Sequence, residues 1–206
     1  EVPDMYAPGE YDLAGFCVGL VDNDEAVDGS STSVDDVIIG LSSSGAHSNG
    51  YSLIRKLFDA SNLKGDDTFP GSDQSVADVL LQPTYIYAEQ VRTLMRDFPI
   101  KGMVHITGGG FYLNIPRVLP NGVVADINFN AWPQLPVFPW ILEQGRLTWP
   151  EMLTIFNCGI GYILIVSPEH EADILNRLNA LHQPAWTIGK IRRQTADDKE
   201  QVHINF

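Results

Sequence analysis

Residues 41–53 read Leu41-Ser42-Ser43-Ser44-Gly45-Ala46-His47-Ser48-Asn49-Gly50-Tyr51-Ser52-Leu53. An apolar run, Asp36-Val37-Ile38-Ile39-Gly40-Leu41, leads into them, and an amphipathic run, Leu53-Ile54-Arg55-Lys56-Leu57-Phe58, follows. The first run has the unbroken hydrophobicity of a buried strand. The second places apolar residues at 53, 54, 57 and 58, the spacing of one helix face. A glycine- and hydroxyl-rich loop therefore joins a strand to a helix N-terminus. Such a junction presents unpaired backbone N–H groups and the positive end of a helix dipole, a natural seat for a phosphate. His47 and Asn49 add side chains able to orient a ligand. A tight glycine turn with serine caps is the alternative reading of the same residues.

Working outward, residues 12–21 alternate enough to predict a strand, and residues 22–34 form a polar turn region. The helix after the loop is expected to end near Ser61 or Asn62. Residues 64–75 are polar and form the segment best suited to mobility. Short helices are predicted over 76–81, 139–144 and 149–156, and a longer one over 85–98, whose apolar residues recur near helical period. Strands are predicted over 101–106, 123–129, 159–166, 185–191 and 202–206. Ser167-Pro168-Glu169 has the composition of a helix start, with Ile174, Leu175, Leu178 and Leu181 giving that helix its apolar face. Irregular mixing of strands and helices predicts an α+β domain, one mixed β-sheet flanked by helices.

Composition narrows the function. The 206-residue chain is 44% hydrophobic and 19% charged, ordinary for a globular protein with a substantial core. Its 26 acidic residues against 13 Lys and Arg give a net charge of −13. That balance argues against binding nucleic acid or an anionic membrane, though local N–H groups can still hold a small anion. No signal peptide is visible and no apolar run is long enough to span a bilayer, so a cytoplasmic protein is expected. Cys17 and Cys158 both sit in apolar, strand-like contexts and read as reduced core thiols.

A second glycine-rich loop, Thr107-Gly108-Gly109-Gly110, follows a predicted strand. It fits neither the dinucleotide fingerprint nor the P-loop. Glycines there let backbone approach either a ligand or a neighbouring loop closely. Gly40-Leu41-Ser42-Ser43-Ser44 is not a nucleophile elbow, which would need glycine at 44. No partner base is placed beside Cys158, which reads as core, with Asn157 a structural or groove residue. Glu1, Asp4 and Asp12 read as solvated acids.

Several blocks, in order, resemble one family. They are Glu1-Val2-Pro3-Asp4-Met5-Tyr6, Tyr11-Asp12-Leu13-Ala14-Gly15-Phe16-Cys17-Val18-Gly19, the 41–53 stretch, His105-Ile106-Thr107-Gly108-Gly109-Gly110-Phe111, Asn114-Ile115-Pro116-Arg117-Val118-Leu119-Pro120 and Phe156-Asn157-Cys158-Gly159-Ile160-Gly161. The chain resembles the phosphoribosylformylglycinamidine cyclo-ligases (aminoimidazole ribonucleotide synthetases) of purine biosynthesis. The resemblance implies the C-terminal domain type of that superfamily. Residues 1–11 would then be a residual segment of a missing N-terminal domain, and residues 12–206 the substrate-binding domain of a longer enzyme.

What the resemblance implies is an ATP-dependent conversion of formylglycinamidine ribonucleotide to aminoimidazole ribonucleotide. ATP and Mg2+ would serve the full-length enzyme, which is expected to be a cytoplasmic homodimer. Ser43, Ser44, Gly45, Ser48 and Asn49 would hold the ribose-phosphate part of the substrate. His47 would act catalytically, by substrate contact more than by proton transfer; its alternative is a loop-fixing hydrogen bond. Thr107, Gly108, Gly109 and Gly110 would form a second wall of the groove. The alternatives are a non-catalytic phosphate-binding or dimerisation module, or the related domain of formylglycinamidine ribonucleotide synthetase.

Overall fold

The computed structural model describes residues 9, 11 and 13–206. Its centre is strand β1, Val37–Ser42, in which every position is buried. A strand covered on both faces can be apolar throughout, which explains the unbroken Val-Ile-Ile-Gly-Leu run. Val37, Ile39 and Leu41 enter one core and Ile38 the other, on the opposite side of the sheet.

The other strands are β2 (Ile100–His105), β3 (Val123–Asn128), β4 (Ile160–Val166), β5 (Ala185–Arg193) and β6 (Val202–Asn205). They form one sheet in the order β2-β4-β1-β5-β3-β6. All pairings are antiparallel except β3 with β6. The helices are α1 (Tyr51–Ser61), α2 (Val76–Leu80), α3 (Ala88–Asp97), α4 (Gly110–Asn114), α5 (Val137–Gly145), α6 (Trp149–Ile155) and α7 (Glu171–Ala180). Ile54 of α1, Val76 of α2, Phe111 of α4, Phe138 of α5 and Leu153 of α6 share the larger core. Val91 and Leu94 of α3 pack with Ile174 and Leu178 of α7 over the other face. A mixed sheet flanked by helices, the expected α+β class, is thus what the chain forms.

Several expectations need correction. Of the anticipated strand at 12–21, residues 13–21 carry no strand, and Leu13, Phe16, Val18 and Leu20 lie exposed. Alternation makes a strand only where a sheet edge receives it. Cys17, in that stretch, is exposed and no core thiol, whereas Cys158 is buried. The Glu1-to-Tyr6 block and most of the anticipated residual segment 1–11 lie outside the described residues. The 64–75 loop, expected to be mobile, is pinned by the buried Phe69 and by a bridge between Thr68 and Ser75.

Helix α5 starts at Val137, two residues before the predicted Pro139, because a proline in the first turn gives up an N–H that has no intrahelical acceptor. Ser167 makes no side-chain cap; a short 3-10 turn, Pro168–His170, leads into α7 instead. Thr148 and Glu151 form a full capping box on α6. Among the described residues, no helix is long and apolar enough to cross a membrane.

Candidate functional site

The register of β1 against β4 shifts between Leu41 and Ser42, where the glycine- and hydroxyl-rich loop begins. Ser42 then donates its N–H to Pro184 O, and Ser43 donates its N–H to Gly159 O. The loop therefore leaves the sheet already tied to two other connections. It ends at Gly50, whose φ of +77° opens α1. A Cβ at Gly50 would lie 2.1 Å from the Phe156 ring, so only glycine fits there.

One buried side chain braces this loop from across the sheet. Asn157 Nδ2 donates to Gly45 O, and its Oδ1 accepts from Ser43 Oγ and from Gly159 N–H, all at 2.9 Å. Asn114 performs a parallel task for the second loop. Its Nδ2 donates to Gly110 O at 2.7 Å and lies 3.3 Å from the carbonyls of Thr107 and Gly108. The two loops meet at Asn49, whose Oδ1 would be 3.3 Å from a Cβ on Gly108.

His47 is buried within the loop, 3% exposed, with a left-handed φ of +57°. Its Nε2 accepts from Ser44 N–H at 3.2 Å. A neutral imidazole has one acceptor and one donor nitrogen, so the proton sits on Nδ1. Nδ1 is buried and meets no acceptor among the described residues. Burial, and secondarily the neighbouring His105, pull the His47 pKa down to about 4. The ring is therefore neutral near pH 7, a hydrogen-bond donor rather than a cation.

An aromatic wall surrounds it. The His47 ring centroid lies 6.2 Å from Tyr87 and 6.5 Å from His105. His105 stacks on Tyr162 at 6.1 Å, and partial burial lowers its pKa too. Tyr85, Ile86, Tyr87, Val91, His105 and Tyr162 line an open cleft of ≈ 420 Å3. A polar cleft of ≈ 720 Å3 between residues 24–31 and α3 contains none of the loop residues.

The anticipated site residues thus fall into distinct places. Ser43 is buried, with its hydroxyl committed to Asn157. Ser44 spends its N–H on His47 and its hydroxyl on Pro83 O. Gly45 is buried, Ser48 is exposed and shares a hydrogen bond with Thr84, and Asn49 faces the second loop. Thr107 and Gly109 are half-buried and Gly108 is exposed, while Gly110 is packed against the Leu153 carbonyl. His105, Tyr87, Tyr162 and Asn114 also belong to the assembly. Their positions depend on pairings distant in sequence; the one local signal was the polar asparagine at 114 closing a glycine-rich turn. Neither loop contains a carboxylate. Among the described residues, no three His, Cys, Asp or Glu side chains cluster as a metal site.

Comparison with known proteins identifies the family. The family described as AIR synthase related protein, C-terminal domain, matches residues 33–203. The chain is 64% identical, over all its 206 residues, to the phosphoribosylformylglycinamidine cyclo-ligase of Oleidesulfovibrio alaskensis, covering 59% of that protein. The cyclo-ligase of Nitratidesulfovibrio vulgaris matches to the same extent, 64% identical with 59% of its length covered. The chain thus spans about three-fifths of the curated relatives it matches. Among solved structures, thiamine-monophosphate kinase from Stenotrophomonas maltophilia is similar with a TM-score of 0.60 at 17% identity, over 90% of this chain and 54% of that one. The hydrogenase maturation protein HypE is similar with a TM-score of 0.60 at 19% identity, over 90% and 53%. At such identities these two structures speak for the fold alone.

Proposed function

Because the chain belongs to the AIR synthase related protein, C-terminal domain family, we propose that residues 12–206 form the substrate-binding domain of a longer ATP-dependent cyclo-ligase. The reaction converts formylglycinamidine ribonucleotide and ATP to aminoimidazole ribonucleotide, ADP and phosphate. ATP phosphorylates the formyl oxygen, the amidine-side nitrogen attacks the activated carbon, and phosphate leaves with that oxygen. Relatives at 64% identity carrying the cyclo-ligase name favour this reading over the related synthetase and over a purely structural module. A cytoplasmic homodimer is part of the same reading for the longer protein.

The observation that carries it is the buried Nδ1–H of His47, which meets no acceptor among the described residues, beside two braced glycine-rich loops. An unsatisfied buried donor costs about 1–3 kcal/mol. A substrate oxygen accepting from the ring would remove that cost and so favour binding. The chemistry asks mainly for positioning and charge stabilisation, which fixed donors on a rigid frame supply. The loops offer serine, asparagine and backbone N–H groups to phosphate and ribose oxygens. Neither loop contains a carboxylate, and among the described residues no cluster of His, Cys, Asp or Glu side chains offers a metal site; the Mg2+ of this reading belongs to the longer enzyme.

Calorimetric titration of formylglycinamidine ribonucleotide into the chain tests this. Binding is expected, and His47→Ala is expected to weaken it roughly ten- to hundredfold, as for one lost buried hydrogen bond. A folded chain that binds no ribonucleotide overturns the assignment of the substrate side to this domain. Equal affinity in the variant removes His47 from it.

A further inference from the structure

Segment 81–87 has no regular structure, yet it grips the His47 loop at several points. Pro83 O accepts from Ser44 Oγ at 2.6 Å, and Thr84 Oγ1 lies 3.1 Å from Ser48 Oγ. Tyr87 closes the segment. It is 5% exposed, and its hydroxyl donates to Ser42 O at 2.8 Å, at the point where the loop leaves β1. Its ring lies 6.2 Å from His47 and from His105, and 5.2 Å from Tyr162.

Gly161 shows how tightly this corner is filled. A Cβ there would lie 2.2 Å from Tyr87 Oη and 2.5 Å from His47 Cε1. Both side chains therefore rest on the bare backbone of one residue of β4, next to one another. Any side chain at 161 would have to displace the tyrosine, the histidine or both.

We propose that Tyr87 is a positioning residue for His47. Its hydroxyl pins the root of the loop through Ser42 O, and its ring holds the imidazole over Gly161 with Nε2 turned to Ser44. The role in substrate binding rests on the cyclo-ligase reading; the hold on the imidazole does not. Burial against the Tyr87 ring helps exclude water from His47 and so favours the neutral imidazole, while the Ser44 N–H held against Nε2 selects its Nδ1–H form. Tyr87 touches no reacting atom in this arrangement and acts through its neighbour.

The test is NMR of the chain with nitrogen-labelled histidine, followed from about pH 3 to pH 8, for wild type, Tyr87→Phe and Tyr87→Leu. Wild-type His47 is expected to stay in its Nδ1–H form and to titrate near pH 4. Tyr87→Leu opens the wall, so the ring is expected to titrate closer to the ordinary histidine value and to lose its tautomer preference. Tyr87→Phe keeps the wall and loses only the bond to Ser42 O. Its His47 titration is expected to be retained, while the Ser44 amide exchanges roughly fivefold faster, as for about 1 kcal/mol of lost tethering. An unchanged titration and tautomer in Tyr87→Leu overturn the proposal. Should that variant not fold, an unchanged Ser44 exchange in Tyr87→Phe overturns it. Should the ring respond as expected while wild type binds no ribonucleotide, the positioning role stands and the cyclo-ligase reading falls.

Discussion

Ser43 donates its hydroxyl to Asn157 Oδ1 at 2.9 Å, across a sequence separation of 114 residues. The same asparagine holds Gly45 O and Gly159 N–H, so one buried amide ties the glycine- and hydroxyl-rich loop to the turn before β4. Removing it strands a hydroxyl, a carbonyl and an N–H in a place without water. Asn157→Ala is therefore expected to cost about 3 kcal/mol or more, measured by urea denaturation. Asn157→Asp is expected to be no better, because it sets a carboxylate oxygen against Gly45 O. A loss below about 1 kcal/mol in the alanine variant would show that the loop holds its shape without the brace.

The lowered pKa of His47 makes stability depend on pH with a definite sign. In the unfolded chain the imidazole takes up a proton near pH 6.5; in the native chain it does so near pH 4. The native state binds fewer protons between those values, so this contribution is fully present above pH 6.5 and is lost as pH falls toward 4. The difference corresponds to about 3 kcal/mol. His47→Gln removes this titration and leaves that of His105. Between neutral pH and pH 4 the wild-type chain is expected to lose up to that much more stability than the variant. Parallel pH profiles for the two proteins would mean that the ring is not desolvated.

The two thiols should differ sharply. Cys158 is fully buried and burial pushes its pKa well up, so it holds almost no thiolate at neutral pH. Cys17 is exposed. A disulfide-exchange reagent is expected to titrate one thiol in the native chain and both in denaturant. Modification of Cys17→Ser protein at a native rate comparable to wild type would contradict the placement of Cys158.

Much of this architecture could be read locally. The apolar run at β1 and the spacing 53, 54, 57 and 58 in α1 carry their own periods, and the loop between them followed from its glycines. The partners of that loop were less legible: Asn157 was read as a structural or groove residue, but not as the brace of this loop, and Tyr87 and Gly161 carried no signal of their contact with it. Asn157 and Gly161 reach the loop because the order β2-β4-β1-β5-β3-β6 sets β4 beside β1 although they are far apart in the chain, and Tyr87 reaches it from the segment that leads into α3. Strand β6 likewise crosses over to pair with β3, and no local pattern around the charged turn at 197–200 announces that. The failed strand at 13–21 has the same cause in reverse, an alternating pattern with no edge to receive it.

The triple glycine separates packing from binding one residue at a time. Gly110 has a φ of +56°, and a Cβ there would lie 1.9 Å from Leu153 O, a backbone atom that cannot step aside. Gly109 has a φ of +94° and would meet Leu113 Cβ and Cδ1, each at 2.8 Å; the exposed Cδ1 can turn away, but Cβ moves only with its own backbone. Gly108 has no such backbone restriction and would meet Asn49 Oδ1 at 3.3 Å. Gly110→Ala is therefore expected to be the most destabilising of the three, by several kcal/mol, because steric overlap adds to the strain of about 1–3 kcal/mol that a left-handed φ imposes on a residue with a Cβ. Gly109→Ala should fall between the other two, with the strain of its left-handed φ plus a smaller overlap at Leu113 Cβ. Gly108→Ala should fold with stability within about 1 kcal/mol of wild type, since it fills space between the loops rather than within the core. Its effect belongs to ligand affinity, because the added methyl narrows the gap between Asn49 and the second loop. Thermal unfolding ranks the three, and ribonucleotide titration of the Gly108→Ala chain supplies the functional half. A Gly108→Ala protein as unstable as Gly110→Ala would place the first glycine in the packing and remove it from the groove.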